Sequence, residues 1–223
     1  MTSFACAALF DMDGVIVNNM SYHIDSWYQF AERYGRQISD EEYSRHINGR
    51  VAADSLPYVF GRTLTPDEIT TLTEEKEAIY RDLYQPHLQP TPGLTVFLTA
   101  LKANNFGLAV GTSAPVSNIT FTLDGLNLRS RFDVIIDASM IQRGKPDPEI
   151  YLTAARRLGV APDRCVVFED AFSGIEAGLR AGMKVVALAT THTREELEAT
   201  GAQRIIPDFR DIDAHWLKQL MEE

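Results

Sequence analysis

The apolar residues of this chain gather into short continuous runs, separated by stretches with helical spacing. Residues 7–10, 106–111, 132–137, 164–168 and 184–189 read as strands, with 204–206 a short sixth. Helical patterns lie between them at 116–126, 148–158, 175–181 and 193–200. Strands that are apolar throughout, rather than at every second position, are buried on both faces. Their alternation with helices predicts an α/β fold, a parallel sheet covered by helices on each side.

One block breaks the alternation. Residues 18–89 carry no convincing strand. Met20, Ile24, Trp27, Ala31 and Tyr34 recur at helical spacing. Ser39-x-x-Glu42 and Thr65-Pro66-x-Glu68 read as capping boxes, the second with proline at the first helical position. The helix it opens places Ile69, Leu72, Ile79 and Leu83 on one stripe. The pattern predicts an all-helical insert over 18–89 in a core made of 1–17 and 90–223, with linkers near Asn18-Asn19 and Gln89-Pro90-Thr91-Pro92-Gly93. Two polar residues fall on the apolar stripes: His23 between Met20 and Trp27, and Lys76 between Leu72 and Ile79. Taken singly, each fits a satisfied core histidine and a lysine that reaches water along its stem. The alternative is a face that meets an anionic substrate.

Composition narrows the function classes. The 223 residues suit one large domain or a domain with a smaller companion, and 45% hydrophobic with 23% charged is ordinary globular usage. The balance of 21 Lys+Arg against 31 Asp+Glu, net −10, weighs against nucleic acid or an anionic membrane as partner. Cys6 and Cys165 lie within apolar runs and read as mid-strand, buried free thiols of a reduced, cytoplasmic protein. No apolar run reaches membrane-span length. The segment before Asp11 has no basic residue, so no signal peptide is expected.

Ligands of open α/β sheets bind beyond the carboxyl ends of the strands. The first predicted strand is followed by Asp11-Met12-Asp13-Gly14-Val15, the second by Thr112-Ser113, the third by a loop with Gly144-Lys145-Pro146, the fourth by Glu169-Asp170. Each fragment alone is ordinary: a solvated pair, a helix cap, an exposed loop, a complement to a helix dipole. Four carboxylates, hydroxyls and a lysine converging on one rim are not ordinary.

In these motifs the chain resembles the haloacid dehalogenase superfamily of phosphatases and mutases, and within it the subfamily of β-phosphoglucomutase. The resemblance covers nearly the whole chain, including the helical cap after the first motif. It implies a Rossmann-like core with an inserted cap and Mg²⁺-dependent phosphoryl transfer. Asp11 is then the nucleophile, forming an aspartyl-phosphate, and Asp13 the general acid and base. Thr112 and the neighbouring backbone hold the phosphoryl group, Ser113 is a substrate-binding residue, and Lys145 neutralises nucleophile and phosphate together. Asp11, Glu169 and Asp170 would hold Mg²⁺ by their side chains, with Glu169 as ligand or supporting neighbour, and Asp13 by its backbone carbonyl. The second aspartate separates this pattern from the dehalogenases, since a departing halide needs no proton.

The cap implies His23, Gly49, Arg50 and Lys76 as substrate-binding residues. His23 and Lys76 match the mutase pattern. Asn18-Asn19 stands where the hinge usually reads Asp-Thr or Asp-Ser, and Ala52 stands at the position of the mutase arginine that grips the non-transferring phosphate, with Arg50 two residues earlier. The reaction expected first is hydrolysis of a small phosphorylated metabolite such as a sugar phosphate. Interconversion of β-glucose 1-phosphate and glucose 6-phosphate stays open as the alternative. A non-catalytic phosphometabolite-binding module is the alternative of another class. A cysteine nucleophile is disfavoured, because neither cysteine precedes a phosphate-cradling loop. Capped members of the family are often monomers, so a monomer is expected.

Overall fold

The computed structural model describes residues 4–223. The chain opens with β1 (Cys6–Phe10), passes through helices α1 (Met20–Arg33), α2 (Asp40–His46), α3 (Ala52–Phe60) and α4 (Pro66–Tyr84), then runs α5 (Leu94–Ala103), β2 (Phe106–Gly111), α6 (Val116–Ile119), β3 (Val134–Ile136), α7 (Glu149–Leu158), β4 (Cys165–Glu169), α8 (Phe172–Arg180), β5 (Lys184–Leu188), α9 (Arg194–Glu198), β6 (Arg204–Ile206) and α10 (Ala214–Glu222). It divides into two compact units: Met1–Asn18 with Leu88–Glu223, and Asn19–His87.

The first unit is a six-stranded, all-parallel sheet in the order β3-β2-β1-β4-β5-β6. The order reverses between β1 and β4, the kind of switch point where a crevice opens beyond the strand ends. In β1 the pleat sends Ala7 and Leu9 to one face and Ala8 and Phe10 to the other. Ala7 and Leu9 join Ile150, Tyr151, Ala154, Val167, Ile175 and Val185 in one core. On the other side Phe10 stacks on Phe168, its register partner on β4, at 4.8 Å and 6° between planes. Phe97 and Phe209 close that aromatic cluster. At ~1.5–3 kcal/mol for each fully buried large apolar side chain, these two layers fix where the strands end.

The second unit is all helical. Ser39 and Thr65 each accept a hydrogen bond from the backbone N–H three residues on, and Glu42 and Glu68 reach back to Ser39 N and Thr65 N, so both expected capping boxes form. Trp27, Phe30, Ala31, Leu56, Val59 and Ile79 make its core. Tyr34, expected on the buried stripe, lies just past the end of α1 and is 45% exposed. The buried side of α4 is Lys76, Ile79, Tyr80 and Tyr84, while Ile69, Leu72 and Leu83 are only partly covered.

Other expectations need correction. The helix read at 116–126 is α-helical only to Ile119 and continues as a π-helical turn over Thr120–Asp124. Glu169 is the last residue of β4 rather than the first after it. Neither cysteine is mid-strand: Cys6 and Cys165 open β1 and β4, and Cys6 is only half-buried. Thr91, in the segment that leads back to the first unit, donates its N–H to Ile16 O (2.9 Å) and its hydroxyl to Val15 O (2.7 Å). Among the described residues no helix is long and apolar enough to cross a membrane.

Candidate active site

Asp11 follows β1 directly, and its N–H still donates to Phe168 O of β4 (3.0 Å), so the strand pairing continues one residue past β1. The chain then turns back on itself, with Ile16 N donating to Met12 O (2.9 Å) and Asp13 bridged to Val17. Gly14 takes φ +74°, and a Cβ there would fall on the Asp170 carboxylate. Only glycine lets this turn lie against that acid.

Glu169 is fully enclosed, and four donors occupy it. Its Oε1 accepts from Lys145 Nζ (2.6 Å) and the Tyr151 hydroxyl (2.8 Å). Its Oε2 accepts from Asp170 N (2.9 Å) and Ala171 N (3.1 Å). Gly174 in the first turns of α8 makes room, since a Cβ there would overlap the Glu169 carboxylate. Lys145 Nζ also lies 3.1 Å from Asp11 Oδ1 and 5.1 Å from the centre of the Tyr151 ring. The loop that presents Lys145 is braced by Glu149, which accepts from Gln142 N (3.0 Å) and Arg143 N (3.1 Å). Asp170 accepts from the Thr191 hydroxyl.

One oxygen of each of Asp11, Glu169 and Asp170 falls within 4.8 Å of the others. Three carboxylates this close and this buried cannot all ionise without a counter-charge. Burial, resisted by Lys145 and reinforced by Glu169 and Asp13, pushes the Asp11 carboxyl up to about 7. Burial and the Glu169 charge hold Asp170 well above the ordinary carboxylate value. Burial opposes the Lys145 ammonium, but Asp11 and Glu169 outweigh it and raise its pKa. Asp11 Oδ1 is buried against the Lys145 ammonium. A hard divalent cation fits this donor set: it takes carboxylate oxygens and supplies the missing positive charge. Since the four lone-pair positions of Glu169 are filled, it would ligate only by trading one donor for the cation.

Thr112 is buried after β2. Its N–H donates to Ile136 O (3.0 Å), and its hydroxyl accepts from Ala114 N (3.0 Å). Ser113 beside it is exposed. Lys145 thus touches both Asp11 and Glu169, with Asp170 within 4.8 Å of the two acids, Asp13 on the Asp11 turn and Thr112 at the end of a neighbouring strand.

In the helical unit Lys76 does not reach water. Its Nζ donates to His23 Nδ1 (3.1 Å) and to Glu77 Oε1 (3.0 Å), lies 5.3 Å from the Trp27 ring centre, and the side chain is 4% exposed. His23 stacks on Tyr80 at 3.7 Å between ring centres. The two polar residues on apolar stripes therefore meet each other. Gly49 (φ +70°) and Arg50 lie in an exposed turn, where the Arg50 guanidinium donates to Arg45 O (3.2 Å).

Three contributors escape the sequence reading. Tyr151 sits one turn into α7, and the only signal for it is that a buried tyrosine needs a partner for its hydroxyl. Thr190 and Thr191 follow β5, so the strand-end rule that finds the other loops also finds them when carried one strand further.

Known proteins resemble this chain over most of its length. The family model for haloacid dehalogenase-like hydrolase matches residues 8–188. A phosphorylated carbohydrates phosphatase of Thermotoga maritima is 34% identical over 182 residues, 80% of this chain and 82% of that protein. The beta-phosphoglucomutase of Bacillus subtilis is 32% identical over 227 residues, 97% of this chain and 96% of that one. A solved structure of a HAD hydrolase, family IA, variant 3, from Entamoeba histolytica matches with a TM-score of 0.90 at 29% identity, covering 97% of this chain and 99% of that chain.

Proposed function

Because the chain belongs to the haloacid dehalogenase-like hydrolases, we propose that it is a phosphatase of small phosphorylated metabolites that works through an aspartyl-phosphate on Asp11. The observation that carries this reading is the Asp11 environment. A buried carboxylate oxygen lies 3.1 Å from the Lys145 ammonium and within an acidic cluster suited to a cation.

Asp11 attacks phosphorus, the bond to the leaving oxygen breaks, and Asp13 protonates that oxygen. Asp13 then takes a proton from water as the water attacks the aspartyl-phosphate, which frees phosphate and restores Asp11. Lys145, held by Glu169, offsets negative charge on the nucleophile and the phosphoryl oxygens. Thr112 and Ser113, with the backbone beside them, hold the phosphoryl group. Tyr151 and Glu169 keep the ammonium in place. Asp11 and Asp170, with the Asp13 carbonyl, would hold Mg²⁺, and Glu169 borders the same cluster. The ion supplies charge neutralisation for the transferring group. His23, Gly49, Arg50 and Lys76 are its candidate substrate-binding residues in the helical unit.

The test is release of inorganic phosphate across sugar phosphates, nucleotides and pyrophosphate with Mg²⁺ present. Hydrolysis of one or more sugar phosphates is expected, and no release from any substrate would remove the reading. The likeness to beta-phosphoglucomutase over nearly the whole chain, together with the His23–Lys76 pair, supports a mutase as second reading. Ala52, where that enzyme's pattern has an arginine, weighs against it. Incubation with β-glucose 1-phosphate, Mg²⁺ and a trace of the bisphosphate separates the two. Free phosphate is expected, whereas glucose 6-phosphate without free phosphate would establish the mutase.

A further inference from the structure

Three successive residues after β5 reach three different parts of the site. The Thr190 hydroxyl donates to Gly14 O at 2.6 Å. The Thr191 hydroxyl donates to Asp170. The His192 ring stacks on Phe172, the first residue of α8, at 4.0 Å between centres. The sequence separations are large, 176 residues for the first contact and 21 for the second, so these contacts are long-range ties rather than local turns. Gly14 is gripped from both sides: its backbone lies against the Asp170 carboxylate, and its carbonyl is tied to Thr190. Its peptide plane therefore cannot rotate freely, and the residue before it is Asp13.

We propose that Thr190 and Thr191 are positioning residues of the reaction: Thr191 orients the Asp170 carboxylate for the cation, and Thr190 fixes the Gly14 peptide and with it the approach of Asp13 to the leaving oxygen. The proposal rests on the phosphatase reading above, with Asp170 as metal ligand and Asp13 as acid. Neither threonine touches the reacting atoms. The physical basis is that a carboxylate with one oxygen anchored presents the other in a defined direction, and partners behind metal ligands typically set affinity by ~10–100-fold. A general acid contributes ~10²–10⁴-fold, but only when it is aligned with the atom it protonates. His192 on Phe172 holds the end of the same segment against α8.

The two arms have different readouts. Mn²⁺ binding to the purified full chain is followed by the electron paramagnetic resonance of the free ion. Thr191→Val is expected to weaken Mn²⁺ binding by about tenfold, and Thr191→Ser to restore it, because serine keeps the hydroxyl. Thr190→Val is expected to leave Mn²⁺ affinity within about twofold. Its effect is read as kcat/KM on two substrates, a sugar phosphate that the wild type hydrolyses and p-nitrophenyl phosphate. The first has an alkoxide-like leaving group that needs a proton, and the second does not. Thr190→Val should lower kcat/KM for the sugar phosphate about tenfold more than for p-nitrophenyl phosphate, with Thr190→Ser near wild type. A purely structural role would lower both substrates together. Thermal melts check each variant's fold, and Thr191→Ala and Thr190→Ala replace any valine variant that does not fold.

Wild-type protein that binds no Mn²⁺, or Asp170→Asn that binds it as wild type does, would overturn the metal reading together with the proposal. A wild type that binds and an Asp170→Asn that does not, with Thr191→Val unchanged, would overturn the Thr191 role alone. Equal losses on both substrates would overturn the Thr190 role alone.

Discussion

Burial and the neighbouring Glu169 and Asp13 push Asp11 towards keeping a proton, while Lys145 at 3.1 Å pulls it towards the ionised form a nucleophile needs. The balance leaves Asp11 dependent on positive charge. Asp11→Asn is expected to lower kcat by about 10³-fold or more with every substrate, since an amide cannot serve as the attacking group. Steady-state rates on the best substrate check this, and activity within tenfold of wild type would remove Asp11 from the nucleophile role. Lys76→Ala should act differently: on the substrate-binding role proposed for Lys76, the expected effect is a higher KM with kcat little changed. Unchanged KM and kcat would make the His23–Lys76 pair purely structural. At this scale the sequence shows the residue types that carry chemistry, because strand ends in an α/β sheet converge. It does not show Tyr151, whose part depends on its hydroxyl meeting Glu169 from another element, and it shows Thr191 only when the strand-end rule is carried on to β5.

At the scale of elements, the helices of the second unit are legible because their boundaries are chemical. Ser39 and Thr65 with their paired glutamates announce where α2 and α4 begin. Ser39→Ala and Thr65→Ala should each cost about 1 kcal/mol, read as a lower denaturation midpoint. The glutamates give the same elements a pH signature. Backbone donation from Ser39, followed by Tyr58 and Ser39 hydroxyls, holds Glu42 at about 2. The Arg62 guanidinium, followed by Thr65 N–H, holds Glu68 at about 2. A carboxylate whose pKa is lower in the folded state stabilises it above the unfolded value of ~4.3 and ceases to as pH falls through the folded value. Helical content in the metal-free protein should therefore weaken between about pH 4 and 2, and replacing both glutamates with glutamine should flatten that dependence in circular dichroism melts. The elements that sequence reads poorly are those without such markers. The 116–126 helix changes to a π-helical turn at Thr120, and α5, although it buries Leu94, Phe97, Leu98 and Leu101 at helical spacing, opens after Gly93 with no side-chain cap to mark its start.

For the whole molecule, the net charge of −10 stops being a statement about partners and becomes partly a statement about one site. Asp11, Glu169 and Asp170 are gathered at the switch point between β1 and β4, which the strand order produces by itself. Parallel topology follows from the continuous apolar runs, so the fold and the crevice position are legible in the sequence. Lys145 as the compensating charge is legible through the family resemblance, but its bond to Glu169 is not. A carboxyl whose folded pKa lies above its unfolded value of ~3.9 binds more protons when folded, so the metal-free fold loses stability as pH rises through the interval up to about 7. Mg²⁺ should therefore raise the melting temperature more at pH 8 than at pH 5, where it must displace a proton to bind. Equal shifts at both pH values would speak against the cation lying among these acids.

The central claim, phosphoryl transfer to Asp11, is tested most directly by trapping the covalent form. Asp13→Asn protein, which lacks the base for hydrolysis, is mixed with p-nitrophenyl phosphate and Mg²⁺, quenched in acid, digested and mapped by mass spectrometry. The expected result is a phosphoryl group on Asp11, absent when Asp11 is also replaced by Asn. A phosphoryl group on another residue, or substrate turnover with no labelled peptide at any time point, would contradict it.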